Sequence, residues 1–225
     1  MSHAGKGFAV ALLAALAWAV APVAEAQSPI RIGATLAQTG VNATVGQNQL
    51  HGYQLCVKHM NDKGGVLERK LELVVYDDGS DPATAVRLYE KLITQDRVDL
   101  VLGPYASGIT DPVADVTEKY KMPMLAPTAT ATPIYRKGRQ FIFSMQPPSE
   151  RILEGLLDLA AKKGLKTVAV IGGDDLSQRA LAQSGIELAK KKGEPGAGVL
   201  GSRHKKWSIF PLLSSGTGSG TRTPT

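Results

Sequence analysis

Hydroxyl and carboxylate side chains come together in one stretch, Val98–Asp111, which reads VDLVLGPYASGITD. The run Val98, Leu100, Val101 and Leu102 has the character of a strand buried on both faces. A Gly103-Pro104 turn follows, then a small, hydroxyl-rich loop, then Asp111-Pro112, a pattern for a helix N-cap with proline at the first helical position. Strand, tight loop and helix N-terminus aim free N–H groups and the positive end of a helix dipole at one point, which suits an anion. Ser107 adds a hydroxyl there. The same pattern also describes an ordinary βα turn, and the stretch by itself does not separate the two.

The other reactive residue types form no set. The four histidines are far apart, there is no CxxC or GxSxG, and the segment after the first strand reads IGATLAQTG rather than GxGxxG. No Ser/His/acid or Cys/His arrangement is apparent. The sequence therefore argues against an enzyme, a metal centre and a dinucleotide cofactor. Asp77, Asp78 and Asp81 are close enough in sequence for a cation site, but turn-forming and capping roles account for them better. Cys56, the sole cysteine, has no disulfide partner, and apolar neighbours on its helical face predict a buried thiol.

The elements that position these residues follow from periodicity. Ile30–Leu36 reads as a first strand and Ala37–Val45 as a polar loop. Leu50, Tyr53, Val57 and Met60 recur at spacings of three and four from Gly46 to about Lys63, one face of an amphipathic helix that Gly64-Gly65 ends. Leu71–Tyr76 is a second strand, and Asp81-Pro82 opens a helix to about Thr94. Val98–Leu102 is strand three, a helix runs from Pro112 to about Lys121, and Pro123–Ala126 and Gln140–Ser144 are further strands. The alternation implies an α/β fold with a doubly wound parallel sheet. Right-handed crossovers place strand one between strands two and three, with the ligand switch point at the loops Ala37–Val45 and Tyr105–Thr110. A new unit then begins: helix Glu150–Lys163, strand Thr167–Ile171, the loop Gly172–Asp175 and helix Gln178–Lys192.

The chain has 225 residues and a formal charge of +6, but its basic residues form only local clusters without interleaved aromatics, so nucleic acid is not an indicated partner. Lys6, the apolar run Phe8 to Ala21 and Ala24-Glu25-Ala26 make a secretory signal peptide, with an uncleaved anchor as the other reading. No cysteine follows the run, so no lipid anchor is expected. The expected divisions are 1–26 signal peptide, 27–144 a first α/β lobe, 145–193 a partial second lobe, and 194–225 a low-complexity tail without regular structure.

Together, IRIGATLAQTG, the MNDKGGV of Met60–Val66, the YDDGSDP of Tyr76–Pro82 and VDLVLGPYAS resemble the periplasmic solute-binding proteins of branched-chain amino acid ABC importers, the type I family, over about Pro29 to Lys192. The resemblance implies two α/β lobes closing on a small amino acid, amide or related acid, a membrane permease as partner, and a periplasmic location. It implies no cofactor and no catalysis. By motif, Thr39 and Gly40 would border the ligand, with Val45 opposite the usual side-chain wall and Tyr105 forming part of the side-chain pocket. Ser107 would hold the carboxylate, and Thr128 and Thr130 would meet the ammonium and carboxylate. Ser177 falls where a covering residue is expected, and a serine supplies little wall. The same architecture also serves in sensory and regulatory ligand-binding modules, the alternative function.

Members of the family carry more strands in the second lobe. A truncated or frameshifted product, or a short variant, is the corresponding expectation, with weak ligand affinity because hinge closure needs both lobes. An incomplete lobe would also expose apolar surface on Leu153, Leu156, Val168 and Val170 and promote self-association.

Overall fold

The computed structural model describes residues 27–165, 169–191, 198–203 and 206–210. The proposed signal peptide lies outside them. So does Val168, and the side chain of Val170 is also not described. No helix of the described residues is long and apolar enough to cross a membrane.

Strand β1 (Ile30–Leu36) is buried from Ile32 to Leu36 without alternation, as a strand covered on both faces must be. It pairs in parallel with β2 (Leu71–Asp77) on one side and β3 (Leu100–Leu102) on the other. Strands β4 (Met124–Ala126) and β5 (Ile142–Ser144) complete an all-parallel sheet of order β2-β1-β3-β4-β5. The central position expected for β1 is thus observed.

Three helices cross between these strands: α1 (Ala43–Asp62), α2 (Pro82–Thr94) and α3 (Ser107–Lys119). Asp81 caps α2 as its sequence predicts, accepting the Thr84 N–H at 2.7 Å with Pro82 in the first turn. The core holds Tyr89 and Leu92 of α2, Val101 of β3, Val113 of α3, Met124 of β4 and Ile134 of a short 3-10 helix, Thr132–Arg136.

Helix α3 departs from expectation. It starts at Ser107, not at Asp111-Pro112, so the proline lies in the second turn. There it leaves the Gly108 carbonyl without its helical donor, and Gly108 is exposed, so water can serve instead. Asp111 is no cap. It receives the Lys137 ammonium and the Arg139 guanidinium, each at 2.8 Å, while Arg139 also reaches Asp115 at 2.6 Å. These tertiary pairs outweigh the local capping signal.

Cys56 is exposed rather than buried. Helix α1 buries only Gly46 fully, and Cys56 lies beside the half-buried stripe of Tyr53, Val57 and Met60.

After β5 the chain forms α4 (Ser149–Ile152) and α5 (Glu154–Lys162), where one continuous helix is expected. The first turn is fixed to the 3-10 helix, Ser149 N–H donating to Thr132 Oγ1 at 3.0 Å, whereas α5 buries Leu157 against Ala189. Leu153 breaks the helix between the two anchors. Strand β6 (Ala169–Gly173) includes the glycines expected in a loop, and α6 (Leu176–Lys191) follows.

Residues 198–203 and 206–210 are strands β7 (Gly198–Arg203) and β8 (Lys206–Phe210), where a tail without elements is expected. β7 pairs in parallel with β6 and β8 in antiparallel with β7. The lack of a helical period is no obstacle to a ladder of backbone hydrogen bonds.

Candidate functional site

The loops after β1, β3 and β4 open at the carboxyl ends of adjacent strands, where an open α/β sheet binds ligands. The β1 loop is fastened to the turn after β2. Asp77 accepts from the N–H groups of Gln38 (2.9 Å), Thr39 (3.2 Å) and Gly79 (2.9 Å) and from the Thr39 hydroxyl (2.7 Å). Burial opposes ionisation of Asp77, but these bonds, that from Gly79 foremost, hold its carboxyl below the usual range. Ser80 donates to the Thr39 carbonyl and accepts from the Asn42 N–H, both at 3.0 Å. A Cβ on Gly40 would stand 2.3 Å from the Gly79 carbonyl oxygen, and its φ of +81° suits glycine. The Thr39 hydroxyl therefore donates within the fold, to Asp77.

Asp78 and Asp81 complete the acidic turn in structural roles. Thr35 donates to buried Asp78 at 2.8 Å, and Asp81 is the α2 cap. Among the described residues no three His, Cys, Asp or Glu side chains are grouped to hold a metal ion.

The β3 and β4 loops are joined to each other. Ser107, only 1% exposed, accepts the Ala131 N–H on its Oγ at 3.2 Å. Ala106 precedes α3 at φ +76° and ψ 135°, a conformation costly for a residue with a Cβ. Its carbonyl takes the N–H groups of Ile109 and Thr110 and the Thr110 hydroxyl. The amides of Ser107 and Gly108 are first-turn donors with no acceptor inside the helix. Tyr105 and Thr130 are half-buried beside them. Thr128 points its hydroxyl at Gln49 Oε1 (3.1 Å) and at the Pro104 carbonyl (3.4 Å), away from a ligand role for its proton.

Val45 lies in the first turn of α1, 37% exposed. Ser177 lies in the first turn of α6 and donates to Asp175 at 2.6 Å. No hydrogen bond among the described residues joins Ser177 to the other three loops. Tyr105, Ser107, Thr128 and Thr130 thus follow the adjacent strands β3 and β4, Thr39, Gly40 and Val45 follow the neighbouring β1, and Ser177 lies on α6, which follows a strand of the other sheet.

Sequence reasoning misses Gln49 and Tyr53, which reach Gly103 and Thr128 from α1. In the sequence Tyr53 stands out only as a helix-face residue, and Gln49 not at all. It also misses a cavity of about 310 Å³ lined by Thr132, Arg136, Ser149, Glu150, Arg179 and Ser184 among others. Its polar groups are paired internally, Arg136 with Glu150 at 2.7 Å and Ser149 with Thr132 at 2.9 Å.

Comparison with known proteins bears on the family and the fold. A family model described as periplasmic binding protein matches residues 29–204. A Leu/Ile/Val-binding protein of Rhizobium johnstonii is 36% identical over 133 residues, 59% of this chain and 35% of that protein. A leucine-, isoleucine-, valine-, threonine- and alanine-binding protein of Pseudomonas aeruginosa is 32% identical over 214 residues, 91% of this chain and 52% of its own length. The crystal structure of a leucine binding protein from Thermotoga maritima superposes with a TM-score of 0.69 at 23% identity, over 79% of this chain and 50% of that one. The chain thus spans from about a third to about half of the curated relatives it matches. With a type I fold and a model match over most of its length, the chain belongs to the periplasmic binding protein family.

Proposed function

We propose that the chain is the extracytoplasmic solute-binding component of an ABC importer, taking a branched-chain or related small amino acid or amide at the carboxyl ends of β1, β3 and β4. One observation carries this reading: buried Ser107, at the α3 N-terminus, is bonded to the backbone of the β4 loop. That contact places donors and acceptors side by side, as a zwitterion requires. The first-turn amides of α3 and the hydroxyls of Ser107 and Thr130 offer donors to a carboxylate. The Thr128 carbonyl offers an acceptor to an ammonium. Tyr105 and Val45 give a wall for a small aliphatic side chain, Thr39 and Gly40 border it, and Ser177 belongs to the opposing wall. The partner is the importer's membrane permease. Residues 1–26 act as the signal peptide that brings the chain to the periplasm without a lipid anchor. The ligands named for the two curated relatives favour this class of solute.

The test is thermal unfolding of the exported chain with and without leucine, isoleucine, valine, threonine, alanine and their amides at millimolar concentration. A ligand that binds only the folded state raises the midpoint. A rise with one or more of these is the expected result, and no rise with any of them overturns the proposal. N-terminal sequencing of the same material should begin at Gln27.

A further inference from the structure

We infer that Gln49 and Tyr53 are positioning residues that fix the separation of the two ligand loops, those after β3 and β4. The inference rests on the binding reading above and extends the site to α1, from which sequence reasoning draws only Val45. The pair is spaced by four residues, so both side chains leave the same face of the helix. Tyr53 donates its hydroxyl proton to the Gly103 carbonyl at 2.9 Å. Gln49 Nε2 donates to the Tyr53 oxygen at 2.6 Å and to the same carbonyl at 3.2 Å. Gln49 Oε1 accepts the Thr128 hydroxyl at 3.1 Å.

In this arrangement the Gln49 amide oxygen faces the Thr128 hydroxyl, which also lies 3.4 Å from the Pro104 carbonyl. Rotated by half a turn, Gln49 would place its oxygen against the Gly103 carbonyl and an N–H₂ against the Thr128 hydroxyl, losing its bond to Gly103. Burial pushes the Tyr53 hydroxyl well above the usual phenol range, against the opposing effect of Gln49, so it stays a donor at any working pH.

The geometry closes a circuit. Gly103 stands where β3 turns into the Tyr105–Ser107 loop, and its N–H is bonded to the Leu125 carbonyl of β4 at 2.8 Å. Thr128 stands in the loop that follows β4. Gln49 and Tyr53 tie these two points on one side, and the Ser107–Ala131 bond ties the same loops on the other. A site that must hold two ends of a small ligand loses affinity when its walls shift by a fraction of an ångström.

The Ala131 amide reports on the separation without any ligand, because its acceptor belongs to the other loop. In Q49A and Y53F, its hydrogen exchange should quicken about three- to tenfold, the size expected of one intramolecular hydrogen bond. The amides of Val74 and Val75, in β2, should not change. T128A should act in the same direction, Q49A/T128A no more than Q49A alone, and T128S should restore the original rate. An unchanged Ala131 amide in both Q49A and Y53F overturns the inference, as does full additivity of Q49A with T128A. Y53F removes one oxygen and serves where Q49A does not fold. For any amino acid that raises the wild-type midpoint, affinity should fall in Q49A and recover in T128S relative to T128A. If no amino acid binds the wild-type chain, the transport reading fails while exchange at Ala131 still decides the positioning role.

Discussion

The Ala131 N–H donates to Ser107 Oγ across 24 residues of chain, and both residues are buried. This one bond joins the N-terminus of α3 to the loop that follows β4, so it serves the fold and the proposed carboxylate site together. Ser107→Ala leaves a buried amide without an acceptor, which costs about 1–3 kcal/mol. Urea unfolding should show that loss with an unchanged slope. A neutral outcome would mean that water replaces the hydroxyl.

Asp111 makes stability depend on acid. Burial by itself would raise its carboxyl, but Lys137 and Arg139, each 2.8 Å away, outweigh it and hold the group below the usual range. The folded chain then binds this proton less tightly than the unfolded chain does. The stabilisation is present above the unfolded value near about 4 and is lost as pH falls through the lower folded value. Asp78 works in the opposite sense: burial raises it, so its contribution is present at low pH and lost as pH rises through the folded value. Urea midpoints measured from pH 6 down to pH 2 should therefore fall less steeply in D111N than in the wild type, and more steeply in D78N. Parallel curves would rule out both assignments.

Legibility followed the range of the interactions. The Asp81-Pro82 cap and the apolar stripe of α1 are set by neighbours within a turn or two, and each is found where the sequence puts it. The strand order follows from the handedness of crossovers and is likewise observed. The start of α3 differs from its sequence pattern because Asp111 is claimed by partners 26 and 28 residues away. The task of Gln49 was invisible for the same reason, since Thr128 lies 79 residues on. Of the site, the loop residues could be named from their motif, whereas the bonds that hold them in place could not.

The apolar stripe of Ile152, Leu156 and Leu159 predicts self-association. These side chains are 41%, 55% and 54% exposed, although Leu157 beside them is buried. Sedimentation should show mass rising with concentration, and L156Q/L159Q should suppress the rise. A monomer at every concentration would contradict it.

Ala106 offers a gain in stability. Its φ of +76° with ψ 135° costs a residue with a Cβ about 1–3 kcal/mol, and glycine escapes most of that. Glycine also loses more chain entropy on folding, which takes back about 0.5–1 kcal/mol. Ala106→Gly should therefore stabilise the chain by about 1 kcal/mol. Destabilisation would show that the methyl group's contact with the core outweighs the strain it carries.

Gly46 poses the reverse case. It lies inside α1, where helix propensity alone favours alanine by about 1 kcal/mol. A Cβ there would stand 2.1 Å from the Ala37 carbonyl oxygen and 2.8 Å from its carbon, both of them backbone atoms that cannot rotate away. Relief requires α1 to lift from the end of β1, which would move Val45 and the β1 loop with it. Such overpacking costs about 1–3 kcal/mol or more, so packing prevails over propensity. Gly46→Ala should lower the thermal midpoint, whereas Gly52→Ala in the same helix, where a Cβ meets nothing within 4 Å, should raise it. If both substitutions raised the midpoint, the close approach of α1 to Ala37 would be wrong, and with it the placement of the β1 side of the cleft.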